Sequence, residues 1–110
     1  MMEKPSSTWK KVDLHGSHQI SRVVGEYVIH DHPRVPSTSY RIKVFERRND
    51  FLALPNLRFR LHDGRVDGIC GGGATEVEAL QDAIARMSEL LASRPRWEES
   101  DLEWNDPRDF

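Results

Sequence analysis

Residues 75–93, TEVEALQDAIARMSELLAS, decide the fold class of this chain. Thr75 is a preferred N-cap residue, and Glu78 three positions later completes the capping-box pattern that satisfies free backbone donors at a helix start. Pro95 cannot continue a helix, so we predict one amphipathic helix over residues 76–93. Its apolar residues recur at spacings of three and four and form one stripe: Val77, Leu80, Ile84, Met87 and Leu91, with Ala83 and Leu90 beside them.

Three strand patterns precede the helix, over residues 20–30, 39–47 and 51–61. The first is rich in β-branched and aromatic residues, and the other two alternate apolar with polar side chains, as strands with one buried face do. Pro55 lies within the third pattern and predicts a bend there, because proline cannot donate to a strand ladder.

Turn residues separate these strands. Pro33 and Pro36 predict a loop over residues 31–37. The pair Asp63-Gly64 is a strong hairpin signal, after which residues 65–70 return as a short fourth strand. We expect the three glycines at 71–73 to end the sheet as a turn into the helix.

These elements predict an α+β fold, in which an antiparallel meander of three to four strands packs against one C-terminal amphipathic helix. The 110-residue length fits one domain. We expect that domain over residues 20–93, after an irregular segment over 1–19 and before an acidic, Trp-containing tail over 94–110. The tail either docks in a groove of a partner or packs back on the basic sheet, and its charge favours the second interpretation.

Cysteine usage and hydropathy indicate the compartment. Cys70 is the only cysteine, whereas small secreted proteins usually carry several disulfides. The first residues lack the apolar run of a signal peptide. No segment approaches the ~20 apolar residues of a membrane span. We therefore expect a cytoplasmic protein that does not bind membranes.

Charge is distributed unevenly along the chain. Residues 40–73 hold seven Arg or Lys against four Asp or Glu, whereas residues 74–110 hold four against ten. If the helix covers the apolar side of the sheet, the opposite face is basic, and Trp104 of the tail is a second candidate contact. The basic residues that we predict to bind a partner are Arg41, Lys43, Arg47, Arg58 and Arg60.

Two stretches resemble HicB-like antitoxin domains. Residues 51–57, FLALPNL, resemble the Tyr-Val-Ala … Pro-Asp-Leu strand of that family, and residues 73–80, GATEVEAL, resemble its Gly-Asp-Thr … Glu-Ala-Leu helix entry. The resemblance covers about residues 40–93 and implies a β-β-β-α fold like a truncated RNase H or double-stranded-RNA-binding domain. It also implies dimerisation and the neutralisation of a small ribonuclease toxin, and it implies no catalytic residue.

The histidines form two close pairs, His15 with His18 and His30 with His32. Imidazoles and a nearby carboxylate, such as that of Asp13, could hold zinc, but the spacing matches no standard zinc signature. We therefore expect no metal site.

Two further features suggest chemistry. Cys70 could act as a nucleophile if His62 lies within reach, but a cysteine at a strand end is more often a small buried hydrophobe. The glycines at 71–73 could hold a phosphate at a helix start, but the P-loop lysine is missing. We expect no catalytic residue and no cofactor.

The sequence thus favours a small non-catalytic module that binds and regulates another protein, with an antitoxin-like or anti-defence inhibitor as one form and a homodimer as one assembly. The alternative is a nucleic-acid-binding module that uses the same basic face. Arg and Lys would contact phosphates there, and Phe45 could stack on a base.

Overall fold

The structure, a computed structural model, describes residues 5–30 and 39–105. The predicted loop over residues 31–37 lies outside the described residues. The described part is α+β, as predicted, with 3-10 turns over Pro5–Lys11 and Glu99–Asp101. In chain order the other elements are β1 (Arg22–His30), β2 (Ser39–Glu46), β3 (Phe51–Pro55), β4 (Leu57–Arg60), β5 (Val66–Asp67), β6 (Gly71–Gly73), α1 (Glu76–Ala92) and β7 (Leu102–Trp104).

The strands form two antiparallel sheets. The main sheet has four strands in the order β1-β2-β3-β6, and the second sheet has three in the order β5-β4-β7. Helix α1 packs on one face of the main sheet, over β6, β3 and β2. The predicted architecture of antiparallel strands against one C-terminal helix is confirmed.

Asn56 divides the predicted strand over residues 51–61 between the two sheets. Its backbone N–H donates to the Arg41 carbonyl (2.9 Å), and its side-chain oxygen accepts from the Arg41 N–H (2.9 Å). Its own carbonyl accepts from the Asn105 N–H (2.8 Å), so Asn56 joins both sheets. Alternation of buried residues continues across this junction and gives the two sheets one core: Ala53, Pro55, Leu57 and Phe59 are all buried.

The glycines at 71–73 form the edge strand β6, so the prediction that they end the sheet as a turn is wrong. They pair with β3, Ala53 opposite Gly71 and Phe51 opposite Gly73. A Cβ on Gly71 would lie 2.3 Å from the backbone nitrogen of Ala83, so only glycine lets α1 approach this closely. A run of glycines in a sequence usually indicates a turn. Here glycine is required for a different reason, because the helix packs closely against the strand.

Helix α1 begins at Glu76, as predicted, and Ser93 is its C-cap. The Thr75 hydroxyl accepts from the Glu78 backbone N–H (3.1 Å), as the capping pattern predicts. The Glu78 carboxylate accepts from the Ala74 N–H (2.9 Å), one residue before the position in a standard capping box. No helix of residues 5–30 and 39–105 is long and apolar enough to cross a bilayer.

The buried line of α1 differs from the predicted stripe at one end. Val77 is 72 % exposed, because it lies two residues, or about 200° around a helix, from the buried Ala79. The buried residues repeat every four positions and contact the sheet: Ala79, Ala83, Met87 and Leu91.

Residues 94–105 pack against the body. Trp97 is 5 % exposed, its ring lies edge-on to Phe59 with centroids 5.1 Å apart, and its Nε1 donates to the Leu91 carbonyl (2.9 Å). The Arg94 guanidinium lies 4.1 Å from the Trp97 ring centroid. Strand β7 then pairs with β4 and contributes Leu102 to the core. This segment is therefore part of the folded body.

Candidate interaction surface

The face of the main sheet opposite α1 carries exposed apolar side chains on three of its strands. Val23 lies opposite Phe45, and Phe45 lies opposite Leu52, so the three form one row across β1, β2 and β3. The next row, Glu26-Lys43-Leu54, adds Leu54, and the row after it, Val28-Arg41, adds Val28, which lies beyond the charged side chains of Glu26 and Lys43. We call these residues the outer patch: Val23, Val28, Phe45, Leu52 and Leu54.

The outer patch is open to solvent in the described structure. Val23 is 52 % exposed and Val28 is 37 % exposed. Phe45, Leu52 and Leu54 are partly exposed, and none of them belongs to the core or packs against it. Exposed apolar side chains grouped on one sheet face are a feature of interaction surfaces, so we take the outer patch as the candidate surface.

Two of the predicted contact residues, Arg41 and Lys43, lie on the same face as the outer patch. The strand register places Arg41 opposite Val28, and Lys43 between Glu26 and Leu54. The Arg41 guanidinium donates to the Glu26 carboxylate (2.9 Å), and both side chains are about half exposed. An exposed ion pair of this kind contributes roughly 0–1 kcal/mol, so its main effect on binding is specificity.

Arg58 and Arg60 lie on the second sheet, along the exposed side of β4. The Glu103 carboxylate of β7 contacts both guanidinium groups, at 2.7 Å from Arg58 and 3.7 Å from Arg60. An acid of the C-terminal segment thus offsets one of the two positive charges of this pair, in agreement with the favoured interpretation of the tail.

Arg47 and Trp104 belong to neither of these two groups of predicted contact residues. Arg47 follows β2 and donates twice to the Asp50 carboxylate, with both distances 2.7 Å, and this hydrogen bonding lowers the pKa of Asp50. Trp104 lies opposite Leu57 and packs against the core, which indicates a structural role. The structure therefore brings Arg41 together with Lys43, and Arg58 together with Arg60, but does not place all five cations in one cluster.

The described histidines do not form a metal cluster. Within residues 5–30 and 39–105, no group of three His, Cys, Asp or Glu side chains is arranged to hold a metal ion. His15 lies 3.9 Å from the Asp13 carboxylate in a fully exposed turn. His32 lies outside the described residues.

Cys70 and the glycines of β6 are the two features that suggested a nucleophile and a phosphate site in the sequence. Cys70 is exposed, since it lies in the connection before β6, so the expectation of a small buried hydrophobe is wrong. The Gly72 N–H donates to the Asp82 carboxylate (2.9 Å), and the Ala74 N–H donates to Glu78. Carboxylates of the chain itself thus occupy the donors that a phosphate would need.

Sequence reasoning placed Phe45 on the outer face but missed Leu52 and Leu54 beside it. Residues 51–54 read FLAL, and Leu52 and Leu54 point away from the core while Ala53 points into it. The signal that could have found them is the unbroken apolar run, which is typical of a strand with two apolar faces.

No family model matches this chain, and no curated protein and no solved structure matches it either. The candidate surface therefore rests on the geometry of this chain.

Proposed function

We propose that this chain is a small non-catalytic module that binds another protein through the outer face of its main sheet. The observation that carries the proposal is the outer patch, an apolar sheet face that lies opposite α1 and outside the core. Burying such surface contributes roughly 25 cal/mol per Å². Protein interfaces combine an apolar centre of this type with a polar rim.

The charged residues beside the outer patch supply that rim. Arg41 and Lys43 stand next to its apolar rows, and Glu26 adds the opposite sign. A mixed rim selects partners by charge complementarity and steers association more than it adds affinity. Arg41 and Lys43 are therefore the predicted contacts that this proposal retains at the interface.

A nucleic-acid-binding role is the alternative that the sequence left open. The guanidinium groups of Arg41, Arg47 and Arg58 each contact a carboxylate at 2.9 Å or less. A phosphate would have to replace those acids, whereas an apolar partner surface would leave the ion pairs in place. The geometry for this reason favours a protein partner.

An antitoxin-like or anti-defence inhibitor in the cytoplasm is the narrower form of the proposal, and a homodimer is its assembly. The resemblance of residues 51–57 and 73–80 to HicB-like domains supports it. The neighbouring antiparallel strands β2, β3 and β6 of the main sheet, followed by α1, are compatible with the β-β-β-α fold that the resemblance implies.

The experiment is capture of partners by the tagged chain from a lysate of its native host, split into nuclease-treated and untreated halves. We expect one protein in equal amounts from both halves, retained when salt is raised from about 50 to 200 mM. A phosphate-binding surface would lose affinity steeply over that range. Recovery that disappears with nuclease would contradict the proposal and move the function to nucleic acid.

A further inference from the structure

The two edges of the main sheet differ in how they are protected. β6 is three residues long, and its central N–H, that of Gly72, donates to Asp82 of α1. β1 is nine residues long and within the described residues pairs with β2 alone, and its residues 26–30, which follow the irregularity between Val23 and Gly25, contain neither Lys, Arg nor Pro. Natural sheets usually shorten, charge or cover a long edge, because its free backbone groups pair readily with another strand.

Beside this open edge the inner face of β1 is apolar, and its outer face carries Val28 between Glu26 and His30. Helix α1 lies over β6, β3 and β2. On the inner face Tyr27 and Ile29 are only half-buried, and on the outer face Val28 is exposed. A strand added at this edge would gain apolar neighbours on both faces in addition to backbone hydrogen bonds.

The backbone hydrogen bonds of Arg41 indicate which backbone groups of β1 face the open edge. The N–H and C=O of Arg41 both bond to Asn56, on the side away from β1. Val28, opposite Arg41, therefore forms a non-hydrogen-bonded pair with it, and its own N–H and C=O point to the open edge. By the two-residue alternation of a strand, Glu26 and His30 point the same way.

We propose that β1 pairs antiparallel with β1 of a second copy of this chain, about a two-fold axis at Val28. Glu26 then lies opposite His30 of the second copy, and Tyr27 lies opposite its Ile29. Val28 and the flanking Glu26–His30 pairs exchange backbone hydrogen bonds, since all three residues direct their N–H and C=O outward. The two main sheets become one continuous sheet.

Self-complementarity selects this register. An axis at Glu26 would place two glutamates opposite each other, and an axis at Tyr27 would place Glu26 opposite Val28. The axis at Val28 instead gives an acid–histidine pair, which places no like charges opposite each other, and an aromatic–β-branched pair, which stabilises antiparallel strands. The irregularity between Val23 and Gly25 lies outside the paired residues 26–30 and does not interrupt the new ladder.

This pairing gives an interface to the homodimer included in the proposed function. It also brings the outer patches of the two copies together along β1. Its test uses the purified chain alone, so its failure is distinguishable from failure of partner binding at the outer patch.

Disulfide trapping tests the register. In a Cys70→Ser background, Val28→Cys places two thiols across the axis, on Cα atoms about 5.5 Å apart, which a disulfide spans. Val23→Cys is the matched control, since Val23 lies on the same strand and face and is 52 % exposed. Its thiol would be roughly 30 Å from its copy, five residues on either side of the axis.

We expect mild oxidation to cross-link the Val28→Cys chain at least tenfold faster than the Val23→Cys chain. Sedimentation velocity of the wild type should show concentration-dependent dimers, His30→Glu should lower that association at least tenfold, and His30→Lys should preserve it. Equal cross-linking of the two cysteine variants, a His30→Glu dimer as tight as the wild type, or a wild type that is monomeric up to about 1 mM would each overturn the proposal.

Discussion

Gly71 of β6 lies directly against Ala83 of α1, so closely that a Cβ on Gly71 would stand 2.3 Å from the Ala83 backbone nitrogen. The same side of the strand meets the helix again at Gly73, where a Cβ would lie 2.6 Å from the Cβ of Glu78. At this edge α1 therefore packs directly against the backbone of β6, with no side chains of the strand between them. Its position there, over β6, β3 and β2, leaves the opposite sheet face and β1 available.

Gly71→Ala should destabilise the fold by about 2 kcal/mol or more, because the added methyl group forces α1 away from β6. Gly72→Ala is the matched control, since its Cβ would meet nothing nearer than the Phe51 carbonyl oxygen at 3.8 Å. Neither glycine has a positive φ, so alanine itself is not strained at either position. Urea denaturation measures both variants, and equal losses of stability would contradict this contact.

Tyr27→Phe should lower the free energy of unfolding by about 1 kcal/mol, since the Tyr27 hydroxyl donates to the Glu76 carboxylate and ties β1 to the start of α1. Tyr40→Phe is the control with the opposite expectation. Tyr40 is 1 % exposed, and its hydroxyl has no hydrogen-bond partner in the described structure. Removing that oxygen should leave stability unchanged or raise it by about 1 kcal/mol. A loss at Tyr40 as large as that at Tyr27 would contradict the assignment.

The bond between Tyr27 and Glu76 also predicts a pH dependence. This hydrogen bond, followed by burial, raises the pKa of Tyr27 above its ordinary value of 10.0. A group whose folded pKa is raised stabilises the fold below its unfolded pKa and loses that effect as pH rises through the folded pKa. The thermal unfolding midpoint, Tm, of the wild type should therefore fall above pH 10 more steeply than that of Tyr27→Phe. Parallel declines would show that Tyr27 does not contribute.

The hydrogen bonds of the Asp82 carboxylate predict a loss of folding stability in acid. The Gly72 N–H, and then the Arg86 guanidinium, lower the pKa of the Asp82 carboxyl below 3.8. A depressed pKa contributes stability above the unfolded value, and that contribution disappears as pH falls through the folded pKa. The free energy of unfolding of Asp82→Asn, followed by circular dichroism, should therefore fall less steeply below pH 4 than that of the wild type. An unchanged slope would contradict the role of this carboxylate.

Trp97→Ala should cost about 3–5 kcal/mol, as truncation of a buried aromatic side chain does. It also removes the edge-on contact with Phe59 and the hydrogen bond to the Leu91 carbonyl, which hold the C-terminal segment on the body. Arg96→Ala is the control, because the Arg96 side chain is 80 % exposed. Limited proteolysis should release the C-terminal segment from the Trp97 variant alone, and equal protection of both variants would contradict the docking.

Local signals in the sequence predicted much of the fold. Thr75 and Glu78 mark the helix start, Pro95 its end, and Asp63-Gly64 the hairpin, because each acts through its own backbone geometry. Pro55 predicts a bend in the third strand, and β3 ends there. That its two halves join different sheets, and that β6 pairs with β3, depends on contacts between distant residues, which a local pattern does not contain.

The candidate site was predicted only in part, for a related reason. Alternation correctly placed Arg41 and Lys43 opposite the buried Tyr40, Ile42 and Val44. Alternation alone does not reveal ion partners, so the Arg58 and Arg60 contacts with Glu103, 45 and 43 positions along the chain, were not foreseen as pairs. The apolar character of the outer face came from Leu52 and Leu54, in a run whose period is ambiguous.

The most direct test of the central claim, that the outer patch binds a protein partner, compares two surface substitutions in one capture experiment. Leu52→Glu places a charge within the outer patch, directly opposite Phe45, and Val77→Glu places the same charge on α1, at a residue that is 72 % exposed. Circular dichroism first establishes that both variants fold. The account predicts that the Val77 variant binds the partner as the wild type does and that the Leu52 variant binds it at least tenfold more weakly, a loss of roughly 1.4 kcal/mol of binding free energy. Equal recovery by both variants would contradict it.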